Sequence, residues 1–127
     1  MKIQIVAAII KKQDQFLLGK RSFKEKGAAG YWCPISGKIE IGESETQAIE
    51  REVFEEVGLK VTALRKVDEF DNNEGTGRLH WWLVDIVEGE PFLKNDEHTE
   101  IRWLTVSEMY QLDYIYPEDI ELFKSLL

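Results

Sequence analysis

The sequence predicts an α/β fold, a mixed β-sheet sandwiched between helices in three layers, and three observations point to it. Apolar strand segments alternate with helical segments, with no internal repeat and no low-complexity linker. Two long segments rich in Val, Leu, Trp and Phe, 61–70 and 78–87, flank the turn-forming stretch DNNEGTG at 71–77 and should pair as a hairpin. Finally, 127 residues with 43% hydrophobic content suit one domain with an ordinary core, residues 1–127, and are too few for two.

The elements follow in order. Residues 4–11 and 15–21 read as strands joined by a short turn at 12–14, and 22–30 read as a loop. Short strands are predicted at 31–34 and 38–41, on either side of a glycine turn. A helix should then run from about 45 to 57. Ser44 with Gln47 three residues on makes a capping box, and Gly58 stands where a left-handed residue ends a helix. Ile49, Val53 and Val57 form its core-facing arc. After the hairpin come a strand at 101–104, a short helix capped by Thr105 with Glu108 and running to about 111, and a last helix opened by Pro117 and carrying Ile120, Phe123 and Leu127.

The first helix carries the unusual chemistry. Residues 37–59 read GKIEIGESETQAIEREVFEEVGL. A helix advances about 100° per residue, so Glu52, Glu55 and Glu56 share one face, and that face borders the core-facing arc. A merely solvated surface explains this poorly. Like charges three and four residues apart repel by a few tenths of a kcal/mol, and the helix dipole disfavours Glu55 and Glu56 near its C-terminal end. A hard divalent cation resolves the conflict, because Mg²⁺ prefers oxygen ligands and bridges carboxylates to phosphates. Arg51 reads either as a surface partner for Glu55 or as an interior brace that orients carboxylates bidentately. Gly42 permits a tight loop delivering Glu43 to the helix start, and Gly37 lets a backbone carbonyl approach a metal; both also serve as turn residues.

The fixed points are Gly37, Glu43, Arg51-Glu52-Val53, Glu55-Glu56 and Gly58-Leu59. This pattern resembles the Nudix box without a mismatch, and at average residue usage a chance match is below about 10⁻⁶. The likeness extends to the small MutT-type nucleoside triphosphate pyrophosphohydrolases through the N-terminal strand pair, PISGKIE at 34–40, and GEP at 89–91 with an acidic loop before Trp103. It implies a Nudix-type α/β/α sandwich and attack of water on a triphosphate phosphorus, releasing a nucleoside monophosphate and pyrophosphate, with Mg²⁺ as cofactor and Mn²⁺ as a substitute. It also implies metal ligation by the Gly37 carbonyl, Glu52, Glu55, Glu56 and a later glutamate, for which Glu97, six residues before Trp103, is the candidate beside Asp96 and Glu100. Arg51 would then be the brace, and Glu52 or Glu97 the base, a choice the sequence leaves open.

Lys38, Arg21, Arg78 and Asp119 are the candidate substrate-binding residues. Asp119 stands where MutT-type enzymes that clear oxidised guanine nucleotides carry asparagine. An ionised carboxylate only accepts, so it would favour amino or imino hydrogens, which argues against 8-oxoguanine specificity. Ser36 replaces a glycine common in relatives, and His98 reads as a polar loop residue. Among the aromatics, Phe23, Trp32, Trp81, Trp82, Phe92, Tyr114 and Tyr116 are candidates for a stacking wall. Strand alternation puts Trp81 and Trp82 on opposite faces, so one at most should see a ligand. ADP-ribose, nucleotide sugars, dinucleoside polyphosphates and dihydroneopterin triphosphate are alternative substrates. A non-catalytic sensor domain is disfavoured because every box carboxylate is retained.

A net charge of −8, more than half of it within residues 37–59, argues against a nucleic-acid polymer as partner and leaves a small-molecule nucleotide, which bound cations would admit. The lone Cys33 excludes an internal disulfide, suits a reducing compartment, and reads as a buried apolar side chain. The N-terminal apolar run is too short for a membrane span and precedes no cleavage site, so cytoplasmic residence and no membrane partner are expected, as a monomer or homodimer.

Overall fold

A computed structural model describes residues 2–127. Its elements are β1 (Ile3–Lys12), β2 (Gln15–Arg21), β3 (Trp32–Cys33), β4 (Ile35–Lys38), α1 (Glu45–Val57), β5 (Lys60–Asp71), β6 (Gly77–Glu88), β7 (His98–Thr105), α2 (Val106–Met109) and α3 (Pro117–Lys124). Strand β1 is the axis. It runs parallel to β6 from Ile3↔Gly77 to Ile10↔Val84, and β5 and β6 form the expected antiparallel hairpin. On its other edge β1 changes partner along its length, pairing with β4 from Ile5↔Lys38 to Ala8↔Ile35 and then with β2 at Lys11↔Phe16 and Lys12↔Gln15. Strand β2 in turn carries β3 and β7, both antiparallel.

Because β1 is covered on both faces, its central residues are apolar without interruption. Val6, Ala8 and Ile10 pack with Ile49, Val53 and Val57 of α1, whereas Ala7 and Ile9 pack with Trp81, Ile120 and Phe123 on the α3 side. These are the two cores of a three-layer sandwich, and full burial of each large aliphatic side chain contributes about 1.5–3 kcal/mol. Trp81 and Trp82 fall on opposite faces, as alternation requires.

Helix α1 has the expected bounds. Ser44 Oγ accepts from the Gln47 N–H at 3.1 Å while Gln47 Oε1 accepts from the Ser44 N–H at 2.9 Å, and Gly58 closes the helix with φ of 73°. Four elements differ from expectation. The strand expected at 38–41 ends at Lys38, because β1 takes Ile35–Lys38 as its partner; after one more bond, Ile39 N–H to the Gln4 carbonyl, the chain turns through Gly42 (φ 87°). The apolar alternation of Ile39 and Ile41 was the misleading signal, since Ile41 is fully exposed at the turn. Strand β7 begins at His98 instead of 101, extended by pairing with β2 at Arg21. Helix α2 stops at Met109, two residues short, and α3 stops at Lys124, so that Leu127 lies beyond the helix and is exposed instead of joining Ile120 and Phe123 in the core.

Between β6 and β7 the chain lies across the end of α1, where the Phe92 N–H donates to the Val57 carbonyl (3.0 Å) and the Lys94 N–H to the Glu56 carbonyl (3.2 Å). This strap brings the following residues, Glu97 and His98, beside the helix. No helix among the described residues is long and apolar enough to cross a membrane.

Candidate active site

Arg51 organises the acidic face. Its Nε and Nη2 donate to the two Glu43 carboxylate oxygens (2.6 and 2.9 Å), Nη1 donates to Glu52 Oε1 (2.8 Å) and Glu55 Oε2 (3.0 Å), and Nη2 also reaches the Lys38 carbonyl (3.0 Å). Both readings of Arg51 therefore hold at once: it pairs with Glu55 one turn on, and it braces three carboxylates. Those bonds, with a second from the Glu40 backbone, hold Glu43 down at about 2. The pairing, with Glu43 foremost, raises the guanidinium further above its already high value.

Gly37 lies against Glu52 so closely that a Cβ there would stand 2.0 Å from Glu52 Cδ. Only hydrogen can occupy that space. Glu52 is raised above the usual carboxylate range, chiefly by burial. Glu56 is 2% exposed, and neither of its oxygens has a hydrogen-bond partner. Burial pushes its carboxyl far up, with Glu97 and Glu52 adding to the rise. An unpartnered buried carboxylate between two others is unfavourable by itself and suits a divalent cation, whose charge inverts the local balance. Glu52, Glu56 and Glu97 thus come together, with the Gly37 backbone beside them; Glu55 stands at the rim, its side chain 54% exposed and bonded to Arg51.

His98 was expected as a polar loop residue and is instead the first residue of β7, 4% exposed, with Nδ1 3.7 Å from Glu56 Oε1. The cause is Gly19 on β2, where a Cβ would lie 2.5 Å from the imidazole Cδ2, so the ring rests on the bare backbone. Burial lowers its pKa below the ordinary histidine value. The signal available in the sequence was Gly19 itself, an isolated glycine inside an apolar strand, which marks a close approach.

On the other face of the sheet is a cavity of about 610 Å³ whose lining includes Phe70, Leu79, Trp81, Tyr116 and Asp119. Asp119 is 6% exposed, and its carboxyl is pushed up to about 7 by burial and by nearby Glu118. Trp81 Nε1 is buried without a partner, the Trp81 ring stacks on Phe70 (5.8 Å), and Tyr116 stacks on Tyr31 (4.6 Å). Cavity and carboxylates are one residue apart along β4: Ser36, opposite Ala7, lines the cavity, and Gly37, opposite Val6, meets Glu52. Arg21 joins the two sides, lining the cavity with Nη1 3.9 Å from Glu97 Oε1 and its Nε held by the Gly27 carbonyl at 2.7 Å.

The remaining candidates fall elsewhere. Arg78 does not reach the cavity, because Glu69 (2.5 Å) and Asp71 (2.9 Å) on the neighbouring strand take its guanidinium. Lys38 contributes its carbonyl to Arg51, and its side chain is outside the cavity lining. Of the candidate aromatics only Trp81 and Tyr116 line this cavity; Trp82 turns to α1, where Nε1 donates to Glu45 (2.9 Å). Cys33 is buried, as expected, and desolvation raises its thiol to about 12.

Comparison with known proteins agrees with this geometry. The family described as NUDIX domain matches residues 1–126. The chain is 34% identical to the CTP pyrophosphohydrolase of Escherichia coli over 128 residues, 98% of this chain and 91% of the relative. It is 35% identical over 104 residues to the NAD-capped RNA hydrolase NudC of Actinobacillus succinogenes, covering 77% of this chain but only 38% of that relative. Among solved structures, the MutT protein of Methanosarcina mazei superposes with a TM-score of 0.82 at 24% identity, over 98% of this chain and 91% of that one. With Glu52 packed against Gly37, a fold that superposes on the Methanosarcina mazei structure and a family match over residues 1–126, the chain belongs to the Nudix family and is a Nudix hydrolase.

Proposed function

We propose that the protein hydrolyses a nucleoside or deoxynucleoside triphosphate to the monophosphate and pyrophosphate, in the cytoplasm, and that its preferred base carries an amino group beside a ring nitrogen, cytosine foremost. The observation that carries the reading is Asp119, a buried carboxyl lining a cavity one residue along β4 from the acidic cluster. With its pKa near 7, this group offers both a hydroxyl donor and a carbonyl acceptor near neutrality. The matching edge is one acceptor nitrogen next to one amino donor, as on cytosine or adenine. Uracil and thymine lack the amino group. The 34% identical relative named as a CTP pyrophosphohydrolase supports the same choice.

The residues divide the work. Mg²⁺, or Mn²⁺ in its place, held by Glu56, Glu97, Glu55 and the Gly37 carbonyl, would supply charge neutralisation at the phosphate oxygens and acidify the attacking water. Glu52 is the base: Arg51 fixes one of its oxygens, the other is free of Arg51, and burial raises its carboxyl above the usual carboxylate range. Arg51 touches no substrate; it positions Glu43, Glu52 and Glu55. Arg21, between cavity and cluster, contacts the phosphates as they pass from one side of β4 to the other. The cavity fixes the nucleoside, so the scissile phosphorus is oriented before water attacks.

The test is a panel of CTP, dCTP, UTP, ATP, GTP, 8-oxo-dGTP, ADP-ribose and NAD-capped RNA, each assayed with Mg²⁺. Highest kcat/KM on CTP or dCTP, with UTP at least about tenfold poorer, is the expected outcome. Equal turnover of UTP and CTP would remove the base assignment, and turnover restricted to ADP-ribose or capped RNA would replace the substrate class.

A further inference from the structure

His98 has no part in the mechanism above, yet it is the one nitrogen donor in the acidic cluster. Among the described residues four buried side-chain polar atoms lack a partner, and three of them, Glu56 Oε1, Glu56 Oε2 and His98 Nδ1, belong to one neighbouring pair of side chains. Leaving such atoms unpaired costs about 1–3 kcal/mol each, so the arrangement calls for something that satisfies all three. The separation is informative. At 3.7 Å, His98 Nδ1 and Glu56 Oε1 are beyond hydrogen-bond reach. Two ligands of one first-row ion, each about 2.0–2.2 Å from it, stand roughly 3–4 Å apart. One ligand atom from each of Glu56, Glu97 and His98 lies within 4.8 Å of the others, the compactness one ion requires.

The ring is built into this place. Gly19 leaves β2 bare beneath the imidazole, the β2–β7 ladder pairs His98 with Arg21 across an irregularity after Lys20, and the strap bonded to the end of α1 delivers the segment. A ring so confined aims Nδ1 at Glu56 without freedom to turn away.

We infer that His98 Nδ1 is a ligand, together with Glu56 and Glu97, in a mixed nitrogen and oxygen site for a divalent transition ion of the manganese or cobalt type. The inference rests on the reading that this cluster holds a cation and adds to it a ligand that selects which one. Imidazole favours borderline transition ions, while an all-oxygen site suits Mg²⁺. The protein would therefore bind Mn²⁺ or Co²⁺ more tightly than its carboxylates alone would permit.

The experiment uses the full chain and Mn²⁺ alone, without nucleotide. Pulsed electron paramagnetic resonance should reveal a directly bonded ¹⁴N, replaced by ¹⁵N when the unmutated protein is grown on ¹⁵N-histidine. That arm needs no variant and so does not depend on one folding. Calorimetry on His98→Asn should show Mn²⁺ affinity reduced by about tenfold or more, with the nitrogen coupling gone and Mg²⁺ affinity changed by less than about threefold. Mn²⁺ bound without nitrogen coupling would overturn the inference while leaving the hydrolase reading intact. So would equal losses of Mn²⁺ and Mg²⁺ affinity, which would make His98 a hydrogen-bonding support for Glu56, and so would a coupling that persists in the variant, which would trace it to His80 on β6, the other histidine of the chain. No Mn²⁺ uptake at all would overturn both the ligand assignment and the cation-binding cluster.

Discussion

Replacing Asp119 with asparagine keeps the shape of the side chain and removes its charge, which makes it the sharpest probe of the cavity. In the folded protein burial, with Glu118 adding to it, raises the carboxyl from 3.8 to about 7. A group whose folded value exceeds its unfolded one contributes stability that is complete below the unfolded value and is lost as pH rises through the folded value. Asp119 therefore weakens the fold progressively between about pH 4 and pH 7, and no further above that. A rise of this size corresponds to about 4 kcal/mol, and water entering the open cavity reduces it to about 1–3 kcal/mol. Asparagine does not titrate, so any cost of burying its amide is a constant offset. Urea denaturation of both proteins from pH 4 to pH 8 should show Asp119→Asn gaining about 1–3 kcal/mol on the wild type across that window. A difference that stays flat from pH 4 to pH 8 would refute the reasoning. The same variant should reorder the bases by about tenfold in kcat/KM and still hydrolyse them, and an unchanged order would discard Asp119 as the base contact.

Glu55→Gln should lower kcat by orders of magnitude with an unchanged circular dichroism spectrum; wild-type turnover would exclude Glu55 from the cation's surroundings. Mn²⁺ should raise the Tm of the wild type, and Glu56→Gln should abolish that rise while leaving metal-free stability nearly unaltered; a rise that persists in the variant would count against the cluster. Arg51→Lys cannot keep the bonds to Glu43, Glu52, Glu55 and the Lys38 carbonyl; it should cost about 2–4 kcal/mol and about a hundredfold in kcat, and full activity would contradict the brace. Gly37→Ala places a methyl 2.0 Å from Glu52 Cδ; steady-state kinetics should show kcat falling far more than KM changes, at about 1–3 kcal/mol of stability, and normal kcat would mean Glu52 is not the base. Arg78→Ala should leave KM unchanged and stability little altered, since its ion pairs are solvent-exposed; a tenfold higher KM would return Arg78 to the substrate site.

Features governed by local rules were legible in the sequence. Helix α1 was bounded correctly because its capping box and its left-handed glycine lie within a few residues of each other. The acidic face was legible for the same reason, since one helical turn sets Glu52, Glu55 and Glu56. Long-range pairing was not. Nothing local to residues 35–41 says that Ile5 to Ala8 will claim Ile35–Lys38, and the alternation of Ile39 and Ile41 fits a strand equally well. Nor could the sequence tell that Arg78 would be taken by Glu69 and Asp71, because the choice depends on the register of β5 against β6. His98 became visible only once β2 and β7 were paired and the gap over Gly19 could be filled.

The alternation of β4 has an evolutionary corollary. Ser36 and Gly37 point to opposite sides of the same strand, so under the proposed function the nucleoside cavity and the acidic cluster share a wall, with Arg21 the side chain that meets both. On that proposal, mutations in α3 or β6 would retune ligand choice while leaving the acidic face of α1 untouched. A lineage built on this scaffold can therefore diversify its diet one cavity residue at a time without relearning its chemistry.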